Sequence, residues 1–304
     1  MRSQGYLVLI LVIVAALLIA GCAQQQSKTQ PTGQPTAQPA MTTGQMQSSD
    51  SVMVTSSSLG TVLTDAKGMA LYLFARDIPG NGTSTCSGAC AAIWPVFSVN
   101  QVIVSPPLAQ ADFSSITRSD GNAQTTYKGW PLYYYAADAQ PGDMKGDGVT
   151  GNWFVAKPDY TVMVSQQSGA GTFLTDGTGR TLYFFSKDMP GVSSCTGACL
   201  AKWPAFAGSP VVAPSILKPS DFSAGNRTDG MNQSLYMGMP LYYFSGDTMP
   251  GDMMGNGYNN LWHVANITGY VPPPPAPAIV PTPTTIPTTV SYMGGSSGGG
   301  GGGY

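Results

Sequence analysis

At 304 residues the chain has room for about two domains, but its two ends are too poor in large apolar residues, or too uniformly apolar, to belong to either. Charged residues are only 9% of the total and the formal net charge is -2, so there is no basic field to neutralise a phosphate backbone, and no nucleic-acid partner is expected. Gly (38) and Pro (25) favour turns and short strands, while 15 Tyr, 10 Phe and 5 Trp supply the surface for compact cores, so a mainly β chain is expected.

Arg2 is the only charged residue before an apolar run from Tyr6 to Ala20, and Ile19-Ala20-Gly21-Cys22 closes that run. These residues resemble the lipobox of secreted lipoproteins, which implies cleavage before Cys22, lipid on its thiol and a membrane partner held through that lipid. A plain membrane span is the alternative, but about 15 apolar residues falls short of the ~20 a span needs. Residues 1–22 are therefore expected to be a lipoprotein signal peptide, and the rest of the chain to be extracytoplasmic. From 23 to 50 the composition is Gln, Thr, Ser and Pro with almost no large apolar residue, which predicts a disordered tether. A Pro/Thr-rich and then Gly-rich tail is expected over 271–304.

Between these ends lies an internal repeat. Gly60-Thr61-Val62-Leu63-Thr64-Asp65 returns as Gly171-Thr172-Phe173-Leu174-Thr175-Asp176. Cys86, Cys90, Trp94 and Pro95 match Cys195, Cys199, Trp203 and Pro204, and Arg118, Asp120 and Gly121 match Arg227, Asp229 and Gly230. Two β modules, 51–160 and 161–270, are predicted, each able to fold alone.

A weaker repeat divides each module in half. Leu-Tyr-x-aromatic-x-x-Asp, followed by Pro-Gly, begins at Leu71, Leu132, Leu182 and Leu241. In chain order, each module should open with a strand near 52–57 and a turn whose Gly68 or Gly179 takes positive φ. The first motif strand and a Pro-Gly type II turn should follow. A helix of barely two turns is expected next, capped by Ser87 or Thr196 and stopped by Pro95 or Pro204. A hairpin turning at Lys128-Gly129 or Met237-Gly238, the second motif strand and a strand near 153–157 complete about six short antiparallel strands per module.

The four Tyr-x-aromatic-x-x-Asp motifs, with Cys-Ser-Gly-Ala-Cys-Ala-Ala-Ile-Trp-Pro and Gly-Trp-Pro-Leu-Tyr-Tyr, resemble the family of secreted lipoprotein repeats of unknown function. The resemblance covers both modules almost completely and implies export, tandem repetition and lipidation, but no reaction.

The candidate chemistry is sparse. After Cys22 the cysteines form two C-x-x-x-C pairs. An even count outside the cytoplasm favours Cys86–Cys90 and Cys195–Cys199 disulfides. The alternative is a copper-handling or redox site, but the single His263 has Phe154 as its counterpart, so a ligand set using it cannot occur twice. Alternation along each motif strand puts Tyr72 and Phe74 on one face and Leu71 and Leu73 on the other, both apolar. Tyr72, Tyr133, Tyr183 and Tyr242, with Asp77, Asp138, Asp188 and Asp247, are therefore read as packing and turn-fixing residues, with a ligand groove as the alternative. Asp138, Asp143 and Asp147, and Asp247, Asp252 and Asn256, lie on Gly-rich loops of a kind that hold calcium, though each also suits a turn. Met231, Met237, Met239, Met249, Met253 and Met254 crowd module two, as gap-fillers or as Cu(I) thioethers. Asn81, Asn226, Asn232 and Asn266 begin Asn-x-Ser/Thr sequons. No nucleophile-His-acid set or phosphate loop is present. The expectation is a non-enzymatic envelope binding or structural module with no cofactor and no metal.

Overall fold

The computed structural model describes residues 51–267 and 299–303. Cys22, the 23–50 segment and nearly all of 271–304 lie outside the described residues. Each module contains seven strands, one more than expected, because a two-residue strand follows the second hairpin. Module one runs β1 (Val52–Ser57), β2 (Gly60–Asp65), β3 (Tyr72–Phe74), α1 (Ala89–Ile93), β4 (Phe113–Thr117), β5 (Ala123–Tyr127), β6 (Trp130–Pro131) and β7 (Trp153–Val155). Module two repeats the order as β8 (Val162–Gln167), β9 (Gly171–Asp176), β10 (Tyr183–Phe185), α2 (Ala198–Lys202), β11 (Phe222–Asn226), β12 (Asn232–Tyr236), β13 (Met239–Pro240) and β14 (Trp262–Val264). The sheets are small and antiparallel: β1-β2, β3-β7 and β4-β5-β6, then β8-β9, β10-β14 and β11-β12-β13. Among the described residues no helix is long and apolar enough to cross a membrane.

Turn chemistry sets the local registers. Lys128 (φ 48) and Gly129 (φ 82), with Met237 (φ 49) and Gly238 (φ 80), take the two left-handed positions of a type I′ hairpin loop, which pairs Tyr127 with Trp130 and Tyr236 with Met239. At the four Pro-Gly turns the glycine φ lies between 76 and 85, the type II value. These turns also join the half-modules. The Gly80 N–H donates to the Gly129 carbonyl (3.0 Å) and Gly142 to Gly68 (3.2 Å), while Gly191 donates to Gly238 (2.8 Å) and Gly251 to Gly179 (3.1 Å). Each Pro-Gly turn thus docks on the glycine turn of the other half.

One expectation is corrected. The helices start later than predicted, and their N-caps are Gly88 and Gly197 with no side-chain cap, rather than Ser87 and Thr196. The Cys86 carbonyl is held by Arg118 and its sulfur by Cys90, so the chain enters the helix through a glycine at φ 57. The Ser87 carbonyl, not its hydroxyl, takes the Cys90 N–H (3.1 Å).

The motif strands are packed on both faces. Tyr72 and Phe74 enter an aromatic cluster confined to module one, with Trp94, Tyr133 and Trp153; Tyr183 and Phe185 do the same in module two. Leu71 and Leu73 point into a larger cluster, which does not stop at residue 160: it runs on through Val162, Met163, Val164, Leu174 and Phe184. Hydrogen bonds cross the same boundary, from Gln166 N–H to the Ala75 carbonyl (2.8 Å), from Arg76 Nε to Gln166 Oε1 (2.6 Å) and from Trp130 Nε1 to the Gly177 carbonyl (3.0 Å).

Candidate functional site

Each motif tyrosine finds its acceptor in the other half of its module. The Tyr72 hydroxyl donates to Asp138 Oδ2 (2.6 Å) and Tyr133 to Asp77 Oδ2 (2.5 Å). In module two Tyr183 donates to Asp247 (2.6 Å) and Tyr242 to Asp188 (2.7 Å). The two tyrosines of a module also exchange backbone bonds: Tyr72 N–H donates to the Tyr133 carbonyl (2.8 Å) and Tyr133 N–H to that of Tyr72 (3.1 Å). A local two-fold relation between the halves follows. The second carboxylate oxygen is spent locally: Asp77 Oδ1 accepts the Thr85 N–H and hydroxyl (both 2.7 Å), and Asp138 Oδ1 accepts the Lys145 N–H (3.0 Å). Asp188 accepts Ser194 N–H (2.7 Å) and Asp247 accepts Met254 N–H (3.0 Å). All four tyrosines are 0% exposed and the four carboxylates at most 9%, so these side chains do not line an open groove.

Burial first, then the adjacent carboxylate, pushes the Tyr72, Tyr133 and Tyr183 phenols well above their ordinary range, so they remain protonated donors. Burial likewise raises Asp77, Asp188 and Asp247 above the ordinary 3.8, outweighing the hydrogen bonds that oppose it. A raised folded value means stability that is present below the unfolded value and lost as pH rises through the folded one. Asp120, Asp143 and Asp229 are shifted down instead, by a backbone N–H at Asp120, the Lys145 ammonium at Asp143 and the Arg227 guanidinium at Asp229. Their contribution is lost only as pH falls below about 3.8. The melting temperature is therefore expected to hold or rise between pH 7 and pH 5 and to fall only in stronger acid. A steady fall between pH 7 and pH 5, followed by circular dichroism, contradicts this account.

Around the paired motifs stand two features that the sequence left without a role. The first is a buried arginine relay: Arg118 donates to Ser84 Oγ (2.7 Å), Gln124 Oε1 (2.6 Å) and the Cys86 carbonyl (2.5 Å), and Ser84 Oγ meets the Tyr133 hydroxyl (2.6 Å). Arg227, Ser193, Gln233 and Cys195 repeat it. Its visible signal is an Arg followed by a Gln at the same spacing in both modules. The second is a stack of four rings, Phe74, Trp153, Trp94 and Tyr135, with Trp94 and Trp153 3.8 Å apart and 3° from parallel. Phe185, Trp262, Trp203 and Phe244 repeat it. Gly146 lies against this stack, where an added Cβ would meet Trp94 and Tyr72 at 2.8 Å, and Gly255 takes the same place in module two.

Cys86 and Cys90, and Cys195 and Cys199, are joined as disulfides with Cα separations of 5.3 Å. The loop each closes is so short that the unfolded-state effect is about 2 kcal/mol. The acidic loops are tied internally. Asp143 accepts Ala139 N–H (2.9 Å) and the Lys145 ammonium (2.8 Å), Asp147 accepts Val155 N–H (2.9 Å), and Asp252 accepts Thr248 and Met249 N–H groups (both 2.9 Å). Asn256 accepts Val264 N–H (3.1 Å) where Asp147 stands in module one, a role that needs an acceptor but no charge. Among the described residues no group of three or more His, Cys, Asp or Glu is placed to hold a metal ion. His263 pairs across β14 with Phe184. Of the methionines, Met239 is buried, whereas Met231, Met237, Met249 and Met254 are 50–69% exposed and so fill no core gap.

The fold and its repeated motif define a tandem β repeat with two half-units per module. A model of the family described as a secreted repeat of unknown function matches four segments, 53–98, 114–157, 165–207 and 223–266, one for each half-module. These cover more than half of the chain, which belongs to that family. No curated protein and no solved structure matches it significantly.

Proposed function

We propose that this member of the family is a lipid-anchored, non-enzymatic protein of the cell envelope, held to the membrane through Cys22, whose two modules form a binding or structural element facing outward. The observation that carries the reading is the internal use of the motif: every Tyr hydroxyl and Asp carboxylate is buried and paired, so the most repeated polar groups build the scaffold and do no chemistry on a substrate. The surfaces of the modules differ. Met231, Met237, Met249 and Met254 occupy the positions of Asn122, Lys128, Gln140 and Lys145, so module two exposes four apolar side chains where module one has polar or charged ones. Module two is thus the better candidate for touching an envelope partner. Copper ligation by the C-x-x-x-C pairs would first require reduction of the disulfides that join them.

The anchor is tested by Cys22→Ser. The variant is expected to remain outside the cell yet leave the membrane fraction, followed by immunoblot of washed membranes and culture supernatant. Retention on the membrane after a carbonate wash overturns the lipid anchor.

A further inference from the structure

Module one carries a small insertion that its fold does not use. From Asp77 to Cys86 there are two more residues than from Asp188 to Cys195, yet both segments are pinned alike. Thr85 and Ser194 N–H groups bond to the motif aspartates (both 2.7 Å), and Ser84 and Ser193 hydroxyls to the motif tyrosines (both 2.6 Å). The extra length is therefore looped out behind the Pro79-Gly80 turn, at Asn81-Gly82-Thr83. All three residues are exposed, and a Cβ added at Gly80 or Gly82 would have nothing within 4 Å. Asn81 Oδ1 accepts the Thr83 N–H (2.9 Å) and the Thr83 hydroxyl (3.0 Å), which leaves the amide nitrogen without a partner among the described residues.

Asn81-Gly82-Thr83 is also an Asn-x-Thr sequon, and the other three sequons are placed very differently. Asn266 is half-buried, and its Nδ2 donates to the Ala170 carbonyl (3.0 Å). Asn226 and Asn232 face each other across the β11–β12 ladder, and the middle residue of each sequon, Arg227 or Gln233, is buried in the Cys195 network. A transferase must bend the acceptor tripeptide into its own site, which a free loop permits and a paired strand resists.

We propose that Asn81 is an N-glycosylation site, modified at the extracytoplasmic face by an oligosaccharide carried on a polyprenyl diphosphate. The Asn81 amide nitrogen forms a bond to the sugar C1 and gives up one proton, which the departing diphosphate takes up. The C1–O bond to the carrier breaks, and the polyprenyl diphosphate leaves with the electron pair, so no oxidant or reductant is involved. Thr83 is a positioning residue, since its hydroxyl holds the amide oxygen and turns the nitrogen side free.

The test is peptide mass spectrometry on protein purified from its native envelope. The Asn81 peptide is expected to carry a hexose-type mass increment that disappears in Asn81→Gln and Thr83→Ala and persists in Thr83→Ser, while the Asn266 peptide stays at its bare mass. An Asn81 peptide found only at its bare mass overturns the proposal, and so does equal occupancy at Asn266, because the structural selection among the four sequons would then be wrong. The native peptide decides the matter even if a variant is poorly produced.

Discussion

Tyr133→Ala is expected to destabilise the protein by about 3–5 kcal/mol, the usual cost of emptying a large aromatic site in a core. The side chain is 0% exposed, packs edge-on against Trp153 at 5.1 Å, and donates its hydroxyl to Asp77 Oδ2. Asp77→Ala should cost about 2–3 kcal/mol, because Tyr133 and Thr85 lose their shared acceptor and a hydrogen bond to a charged group contributes ~1.5–3 kcal/mol. Asp77→Asn should cost only about 1 kcal/mol. Its oxygen still serves Thr85, and its amide donates to the Tyr133 oxygen, whose own hydrogen turns to Ser84 Oγ 2.6 Å away. The ordering Ala worse than Asn, measured by urea denaturation, distinguishes a turn acceptor from a required charge. If Tyr133→Ala and Asp77→Ala were as stable as the parent, the motif would have to serve something other than the fold.

The second large effect concerns the boundary at residue 160. Because one apolar cluster holds residues of both modules, and Trp130 and Ala75 bond directly to module two, residues 51–267 should melt in a single transition with equal calorimetric and van't Hoff enthalpies. The fragment 51–160 leaves Leu73, Trp130 and Phe154 beside an absent neighbour, and its midpoint should drop by 15 °C or more, about what losing ~3 kcal/mol costs a domain of this size. Two separate transitions in 51–267, or an isolated 51–160 as stable as the whole, would show that the boundary contacts carry little free energy.

Much of this architecture is legible in the chain because its signals are local. Glycine positions announce their turns, and Lys128-Gly129, Gly68 and the four Pro-Gly pairs form the turns their residue types predict. Alternation places Tyr72 opposite Leu71, and the two residues do enter different clusters. What a single sequence conceals is partner choice at long range. A phenol buried in a two-faced strand must find an acceptor, so the motif Asp is an obvious candidate, but nothing local says that Tyr72 takes Asp138 rather than Asp77. The helix start was obscured for a similar reason: Ser87 has the chemistry of a cap, but Arg118, far along the chain, holds the preceding carbonyl and sets the approach. The shared core was hidden because an apolar strand face looks the same whether its cover comes from its own module or the next.

The exchange of Tyr and Asp between halves has an arithmetical consequence. A half-module alone would bury a hydroxyl without its carboxylate acceptor and leave one oxygen of its own carboxylate without its phenol donor, and each Pro-Gly turn would likewise lack its glycine landing site. A chain of such units can satisfy itself only when their number is even, as with the four segments here. An odd member of the family would have to complete its last unit with one from another molecule, so that repeat parity alone would sort these proteins into self-contained chains and obligate pairs.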